Sequence, residues 1–185
     1  MKNFSKDILI VDFEATGFDI ELDEPVQVGL IVLDKKTFAE KKHYVSWIKP
    51  AQKVSSETAG LKWANITQED IEKINKARSL AEVAGEIIKI IPGKYIFCAW
   101  NASFDFYFWR KLLQQIGRDI RVTGILDLWT LAYIYLHNDD KYTGDFKAES
   151  VFQYFGAAPR IKHDGLEDCR LEAMVFKKLI DRISS

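Results

Sequence analysis

The sequence predicts a mixed α/β domain with a central sheet of about five strands and helices on both faces. Three apolar segments with short connections come first, and helical patterns then alternate with further apolar segments. A length of 185 residues suits one domain with a single sizeable core. We therefore expect residues 1–185 to form one folded unit.

The first three strands are predicted from their apolar, β-branched character. Short polar connections between them favour an antiparallel meander. The segments are DILIVDF (7–13), PVQVGLIVLD (25–34) and KKHYVSWIKP (41–50).

Helices and further strands follow in alternation. Capping boxes at Thr67–Asp70 and Ser79–Glu82 predict two helix starts, and Pro92-Gly93 is expected to stop the second of these helices. The remaining predictions are strands at 95–100 and 122–127, and helices at 104–116, 127–136, 149–156 and 166–183.

Composition narrows the functional classes. A net charge of −1 counts against a protein that grips long duplexes through many phosphate contacts. It leaves room for an enzyme that holds a few nucleotides beside bound metal ions. Two cysteines provide neither a zinc pattern nor a disulfide scaffold. The apolar strand that directly follows MKNFSKD is too short for a signal peptide or a membrane span, so we expect a cytoplasmic protein without a membrane partner.

Acidic residues lie at or beside the ends of apolar segments. Asp12 and Glu14 are two apart on a strand, so both side chains project from one face and call for a cation such as Mg²⁺. A strand that ends in a solvated loop explains the same pair equally well. Asp105 lies in the first turn of a helix, where the helix dipole alone favours an acid.

The last helix carries several acids, and position alone does not select among Asp164, Glu167 and Asp168. One of the three histidines, His163, precedes this acidic segment on a loop. It is a candidate general base toward a metal-activated water. His43 and His137 are interpreted as a surface residue and a helix-end residue.

These segments together resemble the DEDDh 3′–5′ exonuclease family. DFEATG, starting at Asp12, resembles the motif D-x-E-x-T-G, and NASFD, ending at Asp105, resembles N-x-x-F-D. His163 and Asp168 match H-x4-D, which selects Asp168 over its acidic neighbours. The chain departs from the family at Trp100, where many members have histidine, and at Gly165 and Cys169, where alanine is common.

The resemblance implies an RNase H-like fold and two divalent ions, Mg²⁺ or Mn²⁺, held by Asp12, Glu14, Asp105 and Asp168. It also implies that His163 is the general base and that nucleoside 5′-monophosphates leave from a 3′ end. The expected contacts to the terminal nucleotide are Ala15, Thr16, Phe18, Trp100, Asn101 and Phe104. Core packing is the alternative explanation for Phe104, and the departure at Trp100 leaves the choice of substrate open.

Two other functions fit parts of the pattern. A catalytically silent exonuclease-like domain could bind nucleic acid or protein, although all five site residues are present. A phosphatase with an aspartyl nucleophile also places acids after a first strand, but usually has Asp where this chain has Glu14. The expected partner is a nucleic-acid 3′ end, single-stranded rather than duplex. The sequence leaves open DNA or RNA, substrate length, a homodimer and association with a polymerase.

Overall fold

The structure is a computed structural model that describes residues 4–119 and 122–183, so the first three residues of the N-terminal segment lie outside it. Its strands form one six-stranded sheet in the order β4-β3-β2-β1-β5-β6. They are β1 (Ile8–Ala15), β2 (Pro25–Leu33), β3 (Glu40–Lys49), β4 (Arg78–Ser79), β5 (Tyr95–Ala99) and β6 (Val122–Asp127).

The pairing confirms the predicted meander. β1 pairs antiparallel with β2, and β2 pairs antiparallel with β3. β5 and β6 continue the sheet in parallel beyond β1, so the carboxyl ends of these three strands meet at one edge. The expectation of about five strands missed β4, which pairs with Ile48 and Lys49. Ser79 is extended because it is the N-cap of the next helix, and this lets Arg78 and Ser79 join the edge of β3.

The helices lie close to their predicted positions, and both capping boxes form. The first helix, α1 (Ala59–Trp63), was not predicted. α3 (Leu80–Ile87) ends earlier than Pro92-Gly93 predicted, because the chain tightens after it: the N–H groups of Lys89 and Ile90 donate to carbonyls three residues before them. The helices are α1 (Ala59–Trp63), α2 (Gln68–Asn75), α3 (Leu80–Ile87), α4 (Ala102–Gln114), α5 (Leu128–Leu136), α6 (Ala148–Tyr154) and α7 (Gly165–Ile183).

Helices cover both faces of the sheet, as predicted. Alternation along β1 sends Leu9 and Val11 into a core with α3 and α4. Ile8 and Ile10 point the other way, into a core with α5, α6 and α7. Within the described ranges, no helix is long and apolar enough to cross a membrane.

The start of α7 lies directly against β2. A Cβ atom at Gly29 would come within 2.1 Å of the Gly165 carbonyl carbon and oxygen. The buried Gln27 side chain fixes the same point, since its Oε1 accepts a 2.7 Å hydrogen bond from the Gly165 N–H. Two glycines and one amide therefore set the position at which α7 crosses the sheet.

We expect Gly29→Ala to lower the free energy of unfolding by about 3 kcal/mol or more, because the added methyl meets backbone that cannot rotate away. Urea denaturation measures the change. Gly124→Ala on β6 is the matched control, since no heavy atom lies within 4 Å of its ideal Cβ. Equal unfolding midpoints for the two variants would show that the close approach does not hold α7.

Candidate metal centre

The end of β1 presents two carboxylates to α7. Asp12 and Glu14 alternate with Val11 and Phe13, so they share the strand face of Ile8 and Ile10. The β1–β2 register shifts between Glu14 and Ala15, and such an irregularity changes the direction of the strand. Both acids therefore lie at the edge where the parallel strands end.

Asp105 reaches the same edge from α4. Asn101 has a left-handed backbone with φ 56°, which asparagine tolerates, and turns the chain from β5 into α4. Asp127 stabilises this turn, because its Oδ2 accepts the Ala102 N–H at 2.7 Å while its Oδ1 caps α5. Asp105 Oδ1 then accepts a 2.9 Å hydrogen bond from the Phe13 N–H, which lies between Asp12 and Glu14.

His163 and Asp168 come from the α7 region. His163 Nδ1 lies 3.2 Å from Asp168 Oδ2 and 3.8 Å from Glu14 Oε1. One potential ligand atom from each of these three residues lies within 4.8 Å of the other two. The His163 ring also packs on Trp63, with 4.4 Å between ring centroids. The structure thus brings one histidine and two carboxylates from distant segments to a single point.

Sequence reasoning missed Arg160. Its Nη1 donates to Asp168 Oδ1 at 2.8 Å, and its Nε donates to Glu149 Oε2 at 3.0 Å. The guanidinium also lies over the Phe152 ring, 5.2 Å from its centroid. An arginine in a loop carries no motif signal, so only the fold could reveal this contact.

Sequence reasoning also missed Trp63 and Glu172. Trp63 is half exposed and lies on the unpredicted helix α1, beside the cleft. Glu172 is 1% exposed and lies one helical turn beyond Asp168. A glutamate on the buried face of an otherwise apolar helical pattern was the available signal for the second residue.

Burial and repulsion between acids disfavour the ionised forms of Asp12, Glu14 and Asp105. Burial, followed by repulsion from Glu14 and Asp168, raises the pKa of Asp12 well above its ordinary value. Burial and the neighbouring acids raise the pKa of Glu14 to about 8, although Arg160 lowers it. Burial likewise raises the pKa of Asp105 to about 8, against the stabilising Phe13 N–H.

These residues fit divalent cations. Among the described residues, no group forms a hydrogen bond with Asp12 Oδ2, although this atom is buried. Converging carboxylate oxygens are the ligands that Mg²⁺ and Mn²⁺ prefer. A bound cation would favour the ionised forms of Asp12, Glu14 and Asp105, which burial and nearby acids disfavour.

A cleft of about 770 Å³ opens over the acids, and most of the predicted contact residues line it. Phe18 is 60% exposed and meets Trp63 edge to face. Phe104 does both things expected of it, because it lines the cleft and packs against Phe108. Trp100 packs edge to face on Phe152, which also lines the cleft.

The other predicted contact residues differ in whether they face the cleft. Ala15 and Asn101 line the cleft. The Thr16 hydroxyl instead donates to Asp23 Oδ1 at 2.6 Å and accepts the Glu24 N–H at 3.0 Å. The Thr16 side chain therefore closes the β1–β2 loop. Its main chain is engaged as well, because its N–H donates to the Glu24 carbonyl and its carbonyl accepts the Gly60 N–H, both at 2.9 Å. Thr16 is not among the residues that line the cleft, so its contact to a nucleotide stays a prediction.

We expect the metal-free protein to lose stability as the pH rises from about 5 to about 8. In this window Glu14 and Asp105 stay protonated in the folded state but ionise in the unfolded state, so the folded state binds more protons. Their stabilisation is complete below the unfolded pKa and is lost as the pH passes their folded pKa of about 8. Thermal denaturation in EDTA across this window measures the slope.

The wild type is compared with the double variant Glu14→Gln, Asp105→Asn, whose amide side chains do not take up the protons that Glu14 and Asp105 bind. Its melting temperature should fall less steeply with pH. Mn²⁺ should stabilise the wild type more at pH 8 than at pH 5, since ligands must be deprotonated to bind. Parallel slopes for variant and wild type would contradict the assignment of the raised pKa values.

The fold of this chain is similar to that of a solved exonuclease. Over 96% of this chain, the fold is similar to Escherichia coli exonuclease I in complex with a dA16 oligonucleotide, with a TM-score of 0.75 and 19% identity. The match covers 41% of that chain, and the same protein is also known in a zinc-bound complex with single-stranded DNA. At this identity the similarity shows the fold alone, and it confirms the predicted RNase H-like architecture.

The chain belongs to the exonuclease family, because the family model RNase_T, described as Exonuclease, matches residues 9–176. It is 29% identical over 174 residues to a PolC-type DNA polymerase III of Thermotoga petrophila, covering 94% of this chain. It is 27% identical over 169 residues to the 3′-5′ exonuclease DinG of Staphylococcus saprophyticus, covering 91% of this chain. The chain spans only 12% and 18% of the lengths of these two relatives.

Proposed function

We propose that this chain is one metal-dependent 3′–5′ exonuclease domain, which shortens single-stranded DNA or RNA from the 3′ end and releases nucleoside 5′-monophosphates. The observation that carries the proposal is the convergence of Asp12, Glu14, Asp105, Asp168 and His163 in one cleft. Membership in the exonuclease family supports this reading, as does the similarity to a relative named 3′-5′ exonuclease.

Asp12, Glu14, Asp105 and Asp168 are the proposed ligands of two divalent ions, Mg²⁺ or Mn²⁺. The ions, when bound, would lower the pKa of the attacking water and stabilise charge on the leaving 3′ oxygen. The four carboxylates come from β1, α4 and α7, so their relative positions depend on the packing of all three elements. The Phe13 N–H holds Asp105 in place against β1.

His163 is the proposed general base, whose imidazole takes the proton of the attacking water. Contact with Trp63 and the 3.2 Å approach to Asp168 restrict the ring to the acid-lined side of the cleft. Trp63 and Phe18 give an exposed aromatic wall beside it. A base of any identity can stack on such a wall, which favours a single-stranded 3′ end without sequence preference.

The test is digestion of 5′-labelled single-stranded DNA and RNA, long and very short, with Mg²⁺, Mn²⁺ or EDTA. We expect stepwise shortening with either ion, release of nucleoside 5′-monophosphates and no reaction in EDTA. Comparing the two sugars and lengths then identifies the substrate class. No shortening with either ion, together with measurable oligonucleotide binding, would favour the silent binding domain instead.

A further inference from the structure

α7 carries a second carboxylate on the face that presents Asp168. Glu172 follows Asp168 by four residues, and side chains at this spacing lie one above the other on a helix. It is 1% exposed and lines the same cleft as the proposed metal ligands. The H-x4-D motif, which ends at Asp168, does not include it.

One oxygen of Glu172 is buried without a partner. The backbone N–H of Trp100 donates to the carboxylate, but no described group forms a hydrogen bond with Oε2. Asp12 Oδ2 is likewise buried without a hydrogen-bond partner among the described residues, and Asp12 lines the same cleft. Unpartnered buried carboxylate oxygens are costly, so each such group calls for an explanation.

Cationic side chains of the cleft do not supply the missing partner. Arg160 donates to Asp168 and Glu149. Lys147 lies 3.0 Å from Asp145 and is largely exposed. The two unpartnered oxygens, on β1 and α7, therefore share an acidic space that a bound cation would neutralise.

We propose that Glu172 is a fifth carboxylate of the metal centre, which holds the cation bound by Asp12, directly or through one of the ion's waters. This inference rests on the metal site of the proposed function and extends it beyond the motif residues. The competing explanation is a purely structural acid that accepts the Trp100 N–H.

The test is Mn²⁺ binding to the full chain without nucleic acid, followed by calorimetry and by electron paramagnetic resonance. Glu172→Gln keeps the length of the side chain and an acceptor for the Trp100 N–H, but it removes the charge. We expect the Mn²⁺ dissociation constant to rise by about tenfold or more, with a smaller Mn²⁺-induced rise in melting temperature. Glu167→Gln removes the same charge from an exposed site on the same helix and should bind like the wild type.

Glu172→Asp is the second variant, since it keeps the charge but retracts it, and its affinity should also fall. It serves the same comparison if the metal-free Gln variant does not fold. Unchanged Mn²⁺ binding in these variants, with binding lost in Asp12→Asn, would overturn the role of Glu172 alone. Absence of Mn²⁺ binding by the wild type would overturn the metal centre itself, and this inference with it.

Discussion

Asp12→Asn is expected to reduce the rate of nucleotide release by about a thousandfold or more. A cation at such a site contributes several kcal/mol to transition-state stabilisation, and each 1.36 kcal/mol corresponds to a tenfold change in rate. The amide removes the charge of a ligand whose Oδ2 has no described protein partner to compensate. Single-turnover digestion of a 5′-labelled oligonucleotide at saturating Mn²⁺ measures the loss.

The same variant should keep or gain stability without metal. Burial, followed by repulsion from Glu14 and Asp168, raises the pKa of Asp12 and disfavours its ionised form, and an amide avoids this cost. Glu57→Gln is the control, because its side chain is 81% exposed and should affect neither activity nor stability. An active Asp12→Asn protein, or one that loses both stability and activity through unfolding, would contradict the assignment of Asp12 as a metal ligand.

His163→Ala is expected to lower the catalytic rate by about 10²–10⁴-fold, the usual contribution of a general base. The proposed metal ligands remain, so Mn²⁺ affinity should change far less than in Asp12→Asn. Steady-state rates and parallel Mn²⁺ titrations give both quantities.

Two controls separate a base from a packing residue. Removal of the ring leaves space between Trp63 and the carboxylates, so added imidazole should restore part of the activity. His43→Ala removes a half-exposed histidine on β3 and should retain full activity. A catalytic rate close to that of the wild type in His163→Ala, without any gain from imidazole, would show that another group accepts the proton.

Local chemistry explains why most elements could be predicted. Thr67 and Ser79 form their capping boxes within a few residues, and tertiary contacts are not needed to specify them. The short, β-branched apolar segment that forms β1 likewise predicts a strand without any tertiary contact. β4 and α1 escaped prediction because each is short: β4 exists only through pairing with β3, and α1 is a helix of five residues.

Motif spacing predicted the candidate site better than single residues did. Asp12 and Glu14 alone were equally consistent with a solvated strand end, and Asp168 had two acidic neighbours. The resemblance to the three family motifs selected these residues, and the fold then places them around one cleft. Their roles as ligands and base stay predictions until metal binding and activity are measured.

The sequence by itself determined which chemical groups are available, because strand alternation and helix caps are local and the motifs lie on them. The tertiary structure decided what surrounds those groups. Only packing places Arg160 on Asp168, Trp63 on His163 and Glu172 in the acidic cleft. The close approach of Gly29 and Gly165 joins residues far apart in the chain, so no local pattern could encode it. Burial, which raises the pKa values of Asp12, Glu14 and Asp105, arises only when the helices cover the sheet.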